Sequence, residues 1–197
     1  MIKATYNDKT LVIDILCQSF DTNKSVNYIV KQDKNRKKRI RKLMEYSFDM
    51  CYMFGKIYLS DDKNACALTL LPDRKKTTLK SIMLDAKMVI SCIGMTGVSK
   101  VLNRDSKIKS SYPKYPVFYL WFIGVNTTKQ HKSIGSALLT ELIKESILIQ
   151  RPIYLETSMP ENVPFYKKFG FDVYKELDFG HKLFLIKREF SISDTVK

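Results

Sequence analysis

The stretch that decides the fold is PVFYLWFIGV, residues 116–125, followed directly by NTTKQHKSIGSALL, residues 126–139. The first part is a near-continuous apolar run, which predicts a strand buried on both faces of a sheet. The second part is a polar turn with two lysines that leads into a helix at a Ser-Ile-Gly run. A buried strand, a turn and a helix in this order indicate an α/β unit.

Hydrophobic periodicity extends this interpretation over the rest of the chain. Upstream, the predicted elements are a helix over 11–20 capped by Asn7 or Asp8, a helix over 33–53, and a hairpin of strands over 56–60 and 65–71. Residues 79–102 read as two helical pieces divided at Gly94 or Gly97, and 103–116 as a loop. Downstream, the predicted elements are a helix over 139–147, a strand over 153–157, a helix over 162–169 ended by Gly170, and strands over 172–177 and 182–189. The prediction is a single α/β domain over 1–197, with a mixed central β-sheet flanked by helices.

Composition narrows the class of protein. The 197 residues are 45% hydrophobic with few Gly and Pro, which excludes disordered and collagen-like chains. Lys+Arg 34 against Asp+Glu 20 gives a net charge of +14, which favours an anionic partner or ligand. The four cysteines lie far apart in apolar surroundings, which predicts buried, reduced thiols. With no secretory signal and no apolar stretch long enough to span a bilayer, we expect a cytoplasmic protein without a membrane partner.

The turn after residue 125 is the candidate ligand-binding site. The start of a helix presents unpaired backbone N–H groups and the positive end of the helix dipole. Such an end suits a phosphate or pyrophosphate, and Lys129 and Lys132 add positive charge at its edge. The alternative is an ordinary turn, capped by Ser133 and carrying solvated lysines. The glycines that a P-loop or a GxGxxG fingerprint needs are absent here.

The turn resembles motif A of the GNAT superfamily of acetyl-CoA-dependent N-acetyltransferases. That motif reads Gln/Arg-x-x-Gly-x-Gly/Ala after a strand ending in Val; here Gln130, Gly135 and Ser136 follow Val125. Downstream, NVPFYKKFGF, residues 162–171, resembles the family's motif B, Asn-x-x-x-Tyr-x-x-x-Gly-Phe. The resemblance extends from about residue 56 to 190 and is firmest over 119–171. A weaker likeness, carried by IYLETS at 153–158, is to the puromycin-acetyltransferase-like branch.

The resemblance implies a GNAT-like fold and acetyl-CoA as co-substrate. By the family pattern, the cofactor-binding residues are Phe122, Ile123, Val125, Gln130, His131, Lys132, Ser133, Ile134, Gly135, Ser136 and Asn162. Backbone groups of the first three would pair with the pantetheine arm, and amides over 130–136 would hold the pyrophosphate. His131 and Ser133 depart from the pattern because relatives usually carry glycine there, and a Cβ could crowd the phosphate.

Two residues are candidates for proton transfer. Tyr166 stands at the family's tyrosine position and would protonate the leaving thiolate as general acid; the alternative is a tyrosine that only packs in the core. Glu156, near the end of an apolar strand, is the candidate general base, because burial there would raise its pKa. The alternative is that Glu156 forms an ion pair with a lysine or caps the next turn. His181 is a second candidate base.

Three functional hypotheses follow. The first is direct transfer of acetyl from acetyl-CoA to a primary amine of a small molecule or peptide. The second is a CoA-binding GNAT-like domain without catalysis. The third is a basic nucleic-acid-associated protein, suggested by the basic residues over 31–42, although no aromatics interleave there and a solvated helix is preferred. Two histidines and scattered cysteines predict no metal site, and the oligomeric state, including a homodimer, stays open.

Overall fold

The computed structural model of the protein describes residues 1–189. Its strands are β1 (Ile2–Lys3), β2 (Gly55–Leu59), β3 (Ala65–Leu70), β4 (Phe118–Val125), β5 (Ile153–Thr157), β6 (Asp172–Asp178) and β7 (Lys182–Arg188). They form one seven-stranded sheet in the order β1-β2-β3-β4-β5-β7-β6. In the described part of the chain every pairing is antiparallel except that of β4 with β5. The predicted mixed-sheet α/β fold is confirmed, while the predicted extensions to residues 190 and 197 lie outside the described residues.

Helices cover both faces of the sheet. They are α1 (Lys9–Ser19), α2 (Lys24–Ile29), α3 (Arg36–Phe54), α4 (Leu79–Met88), α5 (Val98–Lys109), α6 (Ile134–Leu148) and α7 (Asn162–Lys167). A π-helical turn, Val89–Ile93, continues α4. Side chains of α1 and α3 share one apolar core with β2 and β3, and those of α6 and α7 share a second core with β4 and β5. The site at the carboxyl ends of β4 and β5 therefore lies between two packed layers.

Local predictions over the first half hold where periodicity is strong. The apolar stripe of α3 is buried at Ile40, Leu43, Met44 and Phe48, and the helix runs from 36 to 54. The hairpin of β2 and β3 pairs Tyr58 with Ala67 in the middle of its register. The helix buries one stripe and the strands are buried at consecutive residues, which explains why their apolar patterns located both elements.

Two local predictions are wrong, and one helix was not predicted. The strand β4 alternates buried with half-buried residues, because the faces of Tyr119 and Trp121 are only partly covered. The helix α5 continues to Lys109, where a loop was expected, since Ile108 packs against β7 at the end of an otherwise polar segment. The helix α2 was not predicted at all; it has six residues and buries only Val26.

The basic run over 31–42 is partly structural. Two of its arginines form ion pairs with aspartates of preceding segments, Arg36 with Asp21 at 2.8 Å and Arg41 with Asp14 at 2.6 Å. The third, Arg39, pairs within the run with Asp33 at 2.7 Å. The lysines over 37–38 are exposed, so the expected solvated face holds for these lysines. Arginines that neutralise aspartates of this chain contribute little free charge toward a nucleic-acid backbone.

Candidate active site

The central feature of the site is a cleft that opens between the parallel strands β4 and β5. The two strands pair only at their first residues, Phe118 with Ile153 and Tyr119 with Tyr154. A β-bulge interrupts the pairing of β3 with β4 directly after this point. Leu68 pairs with Phe122, whereas the next residue of β3, Thr69, pairs with Leu120. A bulge bends the strand that carries it. The carboxyl ends of β4 and β5 are therefore separated, and no strand among residues 1–189 pairs with that edge of β4 there.

The register of β4 decides which backbone groups face this cleft. Asn126 donates its N–H to the carbonyl of Asn64 at 2.8 Å, so these two residues form a hydrogen-bonded pair. Pairs alternate along an antiparallel ladder. The backbone groups of Ile123 and Val125 therefore point away from β3 and toward the cleft, whereas those of Phe122 point toward β3. The carbonyl of Val125 accepts a hydrogen bond from Ser19 Oγ at 2.8 Å.

The turn between β4 and α6 has the backbone conformation of glycine at two residues that are not glycine. His131 has φ +61° and Ser133 has φ +58°, both in the left-handed region. Ser133 is the N-cap of α6, and no side chain among residues 1–189 caps the helix. The N–H groups of its first turn thus have no intrahelical partner, and they add to the positive end of the helix dipole. Together they form a site suited to an anion.

Close packing brings this helix end to the strand. A Cβ on Gly135 would lie 3.2 Å from Val125 Cγ2, so glycine allows α6 to approach β4 closely. A Cβ on Gly124 would meet Ser19 Oγ at 3.0 Å, so glycine there admits α1 from the other side. The helix N-terminus and the free edge of β4 consequently border one space.

That space is a cleft of about 640 Å³. Four segments line it: the α1–α2 connection, the end of β4, the turn into α6, and the start of α7. Its lining residues are Ser19, Phe20, Thr22, Asn23, Ile123, Gly124, Val125, Lys129, Gln130, His131, Ser133, Ile134, Gly135, Ser136, Met159, Glu161, Asn162, Phe165 and Tyr166. The volume is in the range of small-molecule and cofactor sites.

Tyr166 places a buried hydroxyl-bearing ring at this cleft. The ring lies 5.3 Å from that of Phe165 and 5.6 Å from that of Phe171, centroid to centroid. Burial raises the pKa of Tyr166 well above its ordinary value, and no charge or hydrogen bond within residues 1–189 adds to the shift. The hydroxyl of Tyr166 therefore keeps its proton at neutral pH.

Glu156 lies outside the cleft lining, at the point where β4 and β5 separate. It lies two residues beyond Tyr154, the last residue of β5 that pairs with β4, and its carboxylate accepts a hydrogen bond from the hydroxyl of Tyr119 at 2.8 Å. The hydroxyl of Tyr112 donates a second hydrogen bond to it. Burial raises the pKa of Glu156, while Tyr112, the charge of Arg104 and Tyr119 act in the opposite direction. These donors hold the carboxylate in one orientation and stabilise its charged form.

His181 lies on the β6–β7 connection, near α2 and α5. Its Nε2 is 3.5 Å from Ser25 Oγ, and its ring is 5.3 Å from that of Tyr28. Burial lowers the pKa of His181, and the charges of Arg104 and Lys24 lower it further. A neutral imidazole is thus favoured, which is the form that a general base requires.

Cysteine thiols and bound metal ions could each support catalysis, so the state of the cysteines and of possible metal ligands bears on the site. Cys51, Cys66 and Cys92 are buried free thiols, as predicted, whereas Cys17 is half-buried. Burial raises the pKa of Cys17 to about 11, so its thiol is protonated at neutral pH. No group of three His, Cys, Asp or Glu side chains that could hold a metal ion occurs within residues 1–189.

The sequence of the site matches a known family. The model of the Acetyltransferase (GNAT) family matches residues 82–171, a range that contains the turn into α6 and the whole of α7. The resemblance to the GNAT superfamily is confirmed. The matched family is one of acetyltransferases.

Solved GNAT structures share the fold over nearly the whole chain. One is a histone acetyltransferase and related acetyltransferase from Corynebacterium glutamicum, with a TM-score of 0.70, 16% identity, and coverage of 97% of this chain and 96% of that chain. Another is arylalkylamine N-acetyltransferase 2 from Aedes aegypti, with a TM-score of 0.66, 12% identity, and coverage of 96% and 98%. A third is the ribosomal-protein-S18-alanine N-acetyltransferase from Escherichia coli, with a TM-score of 0.52, 13% identity, and coverage of 97% and 93%. At these identities the likeness establishes the fold.

The GNAT-type cleft brings together most of the residues named from the sequence. Nine of the eleven expected cofactor residues line it; Phe122 and Lys132 do not. The expectation that Phe122 offers backbone groups is not supported, because its register directs them to β3. Lys132 is exposed beside the turn. Of the two expected catalytic residues, Tyr166 lines the cleft and Glu156 lies apart from the lining.

One wall of the cleft escaped sequence reasoning. The α1–α2 connection contributes Ser19, Phe20, Thr22 and Asn23. Ser19 is 106 residues from its hydrogen-bond partner Val125, so no local pattern connects them. The one local signal was Asn23, a helix-capping residue whose side chain accepts from the Val26 N–H at 3.1 Å.

Proposed function

We propose that the protein is an acetyl-CoA-dependent N-acetyltransferase that transfers acetyl directly to a primary amine in a ternary complex. The observation that carries the proposal is the convergence of three features on one cleft. These are the unpaired edge of β4 at Ile123 and Val125, the uncapped N-terminus of α6, and the protonated hydroxyl of Tyr166. Each corresponds to a different part of acetyl-CoA.

The chain's own groups fit that cofactor. The backbone groups of β4 that point away from β3 match an amide-containing arm laid beside the strand as an added strand, although the carbonyl of Val125 already accepts from Ser19 Oγ. The first-turn N–H groups of α6, with Lys129 at the cleft, match a pyrophosphate. His131 and Ser133 adopt the backbone conformation that glycine usually supplies, so the turn keeps its shape despite the substitutions. When bound, acetyl-CoA supplies an activated acetyl thioester.

Proton transfer falls to residues on either side of the β4–β5 opening. Tyr166 donates a proton to the leaving thiolate. Glu156 accepts the proton that the amine must lose before attack, with Tyr112 and Tyr119 holding its carboxylate. An N–H of β4 near the opening polarises the thioester carbonyl. His181 is the second candidate base.

The acceptor is a primary amine of a small molecule or a peptide. Two of the similar structures are named for an arylalkylamine and for a ribosomal-protein alanine, which are both amines of quite different size. The α1–α2 connection lines the cleft and lies outside the matched range 82–171, so it is our candidate for a wall that faces the acceptor. A cytoplasmic location, the oligomeric state and the likeness to the puromycin-acetyltransferase-like branch stay predictions.

Calorimetric titration of acetyl-CoA at two salt concentrations tests the cofactor site. An assay of the thiol released from acetyl-CoA in the presence of each of a panel of amines then tests for acetyl transfer. Micromolar binding that persists in salt, with thiol release by some amine, supports the proposal. Tight binding without release by any amine would favour a CoA-binding domain without catalysis. Binding of nucleic acid that falls steeply with salt, with no affinity for acetyl-CoA, would favour the third hypothesis.

The identity of the base is tested by paired substitutions. If Glu156 is the base, Glu156→Gln removes the acid limb of the kcat/KM profile and lowers turnover by roughly 10²–10⁴. His181→Gln then retains both the limb and most of the turnover. The reverse pattern would assign the role to His181.

A further inference from the structure

The segment between β3 and β4 carries a concentration of exposed apolar side chains. Eleven large hydrophobic residues are exposed within residues 1–189, and six of them lie between positions 79 and 102. They are Leu79, Ile82, Met83, Ile90, Met95 and Leu102, each between 52% and 83% exposed. Scattered exposed apolar residues are normal, but a cluster of this kind marks an interaction surface.

The cluster has helical order. Leu79, Ile82, Met83 and Ile90 lie at i, i+3, i+4 and i+11, which places them on one face of α4 and its π-helical continuation. The opposite face of α4 is turned to the protein, where Ser81 is buried. The outward stripe is therefore not the core face of an ordinary amphipathic helix. We name these four residues the α4 stripe.

Basic residues border the stripe. Residues 72–93 contain five cations, all exposed: Arg74, Lys75, Lys76, Lys80 and Lys87. The same segment contains only two acids, and both are engaged elsewhere in the protein. Asp73 pairs with Arg151 at 2.6 Å, and Asp85 accepts from the hydroxyl of Tyr46 at 2.6 Å. Five minus two leaves a charge of +3 beside an apolar stripe.

We propose that the α4 stripe and its lysines dock on the surface of an anionic lipid bilayer. An exposed apolar helix face bordered by Lys and Arg is the composition of helices that lie in the membrane interface. The apolar side chains enter the acyl boundary while the cations meet lipid phosphates. No single helix within residues 1–189 is long and apolar enough to cross a membrane; Leu79–Ile93 and Met95–Lys109 meet the length and composition test only as a pair bent by 101°. The contact is thus interfacial, and it replaces the expectation of no membrane partner.

Charge argues against a second copy of this chain as the occupant. In a twofold dimer the same patch meets itself, so the cations of one copy would oppose those of the other. The high exposure of each apolar side chain also means that the stripe protrudes and does not line a groove for a peptide. An anionic bilayer satisfies both the charge and the shape.

Vesicle flotation tests the proposal with the full chain. Binding is measured to vesicles of phosphatidylcholine alone and of phosphatidylcholine mixed with phosphatidylglycerol. We expect binding to the anionic vesicles, and a loss of roughly tenfold or more when Ile82→Glu is combined with Met83→Glu. Leu148→Glu is the matched control, because Leu148 is 78% exposed on α6. Melting temperatures check that each variant is folded.

A second set of variants tests the charge independently. Lys75→Gln, Lys76→Gln and Lys80→Gln together should weaken binding to anionic vesicles by roughly tenfold or more. The same change at three exposed lysines of the basic run, Lys34, Lys37 and Lys38, is the control and should leave most binding intact. Equal losses in both triple variants would mean that only net charge matters and would overturn the proposal. So would absence of vesicle binding, or a dimer in solution that Met83→Glu disperses.

Discussion

Replacing Ser133 with glycine isolates the conformational strain of the cofactor turn. Ser133 has φ +58°, its side chain is exposed, and that side chain makes no capping hydrogen bond to α6. Removing the side chain therefore costs no contact. The only effects of Ser133→Gly are relief of the left-handed backbone and a more flexible unfolded chain.

The two effects oppose each other, and the relief of the backbone is the larger of the two at typical magnitudes. A left-handed conformation costs a residue with a Cβ about 1–2 kcal/mol. The extra entropy that glycine gives the unfolded chain offsets about 0.4–1 kcal/mol of this. At the midpoints of these ranges, Ser133→Gly should therefore increase the free energy of unfolding by about 0.8 kcal/mol. For a chain of this size, that corresponds to a rise in melting temperature of about 1–4 °C.

Thermal melting with a matched control measures this difference. Ser136 lies three residues later in the right-handed first turn of α6, so Ser136→Gly should lower the stability by about 0.5 kcal/mol. Titration with acetyl-CoA then shows whether affinity is retained or increased when the Cβ is gone from position 133. A melting temperature that falls in Ser133→Gly as it does in Ser136→Gly would refute the strain argument.

Three further predictions concern proton transfer and stability. Tyr166→Phe should lower kcat by roughly 10²–10⁴ and leave the Kd of acetyl-CoA nearly unchanged, as turnover assays and calorimetry would measure. Tyr119→Phe removes a hydrogen bond that favours the charged form of Glu156, so the acid limb of kcat/KM should move to higher pH. The hydrogen bond from Arg39 lowers the pKa of Asp33 from 3.8 to about 2, so its stabilisation is present above pH 3.8 and is lost as pH falls toward 2. Asp33→Asn should thus reduce the melting temperature at pH 7, and the difference should shrink over that acidic range.

Sequence periodicity located the elements that bury a regular face. The helix α3 and the hairpin of β2 and β3 have continuous apolar patterns because each packs along its whole length. The pattern fails where a single contact holds an element. In α2 that contact is Val26, with a cap from Asn23, and in α5 the last turn depends on Ile108. A six-residue helix or a polar turn has no period from which to infer it.

Some features of the candidate site could likewise be predicted from the sequence, and others could not. The turn into α6 and the start of α7 are local motifs, so the residues that they contribute could be named from sequence spacing. The left-handed φ angles of His131 and Ser133 could not, because neither residue type requires them. The hydrogen bonds from Tyr112 and Tyr119 to Glu156 also depend on topology, since they join positions 44 and 37 residues apart.

The segment between β3 and β4 connects the two proposals. These strands are antiparallel neighbours, which a turn of a few residues could join, so the sheet does not require the helices α4 and α5. The segment nevertheless reaches the proposed base, because the hydroxyl of Tyr112 donates a hydrogen bond to Glu156. It also contacts α2, because Arg104 donates a hydrogen bond to Ser25 Oγ at 3.3 Å. Its other limb carries the exposed α4 stripe. The segment between β3 and β4 therefore carries both the proposed bilayer contact and one of the hydrogen-bond donors to Glu156.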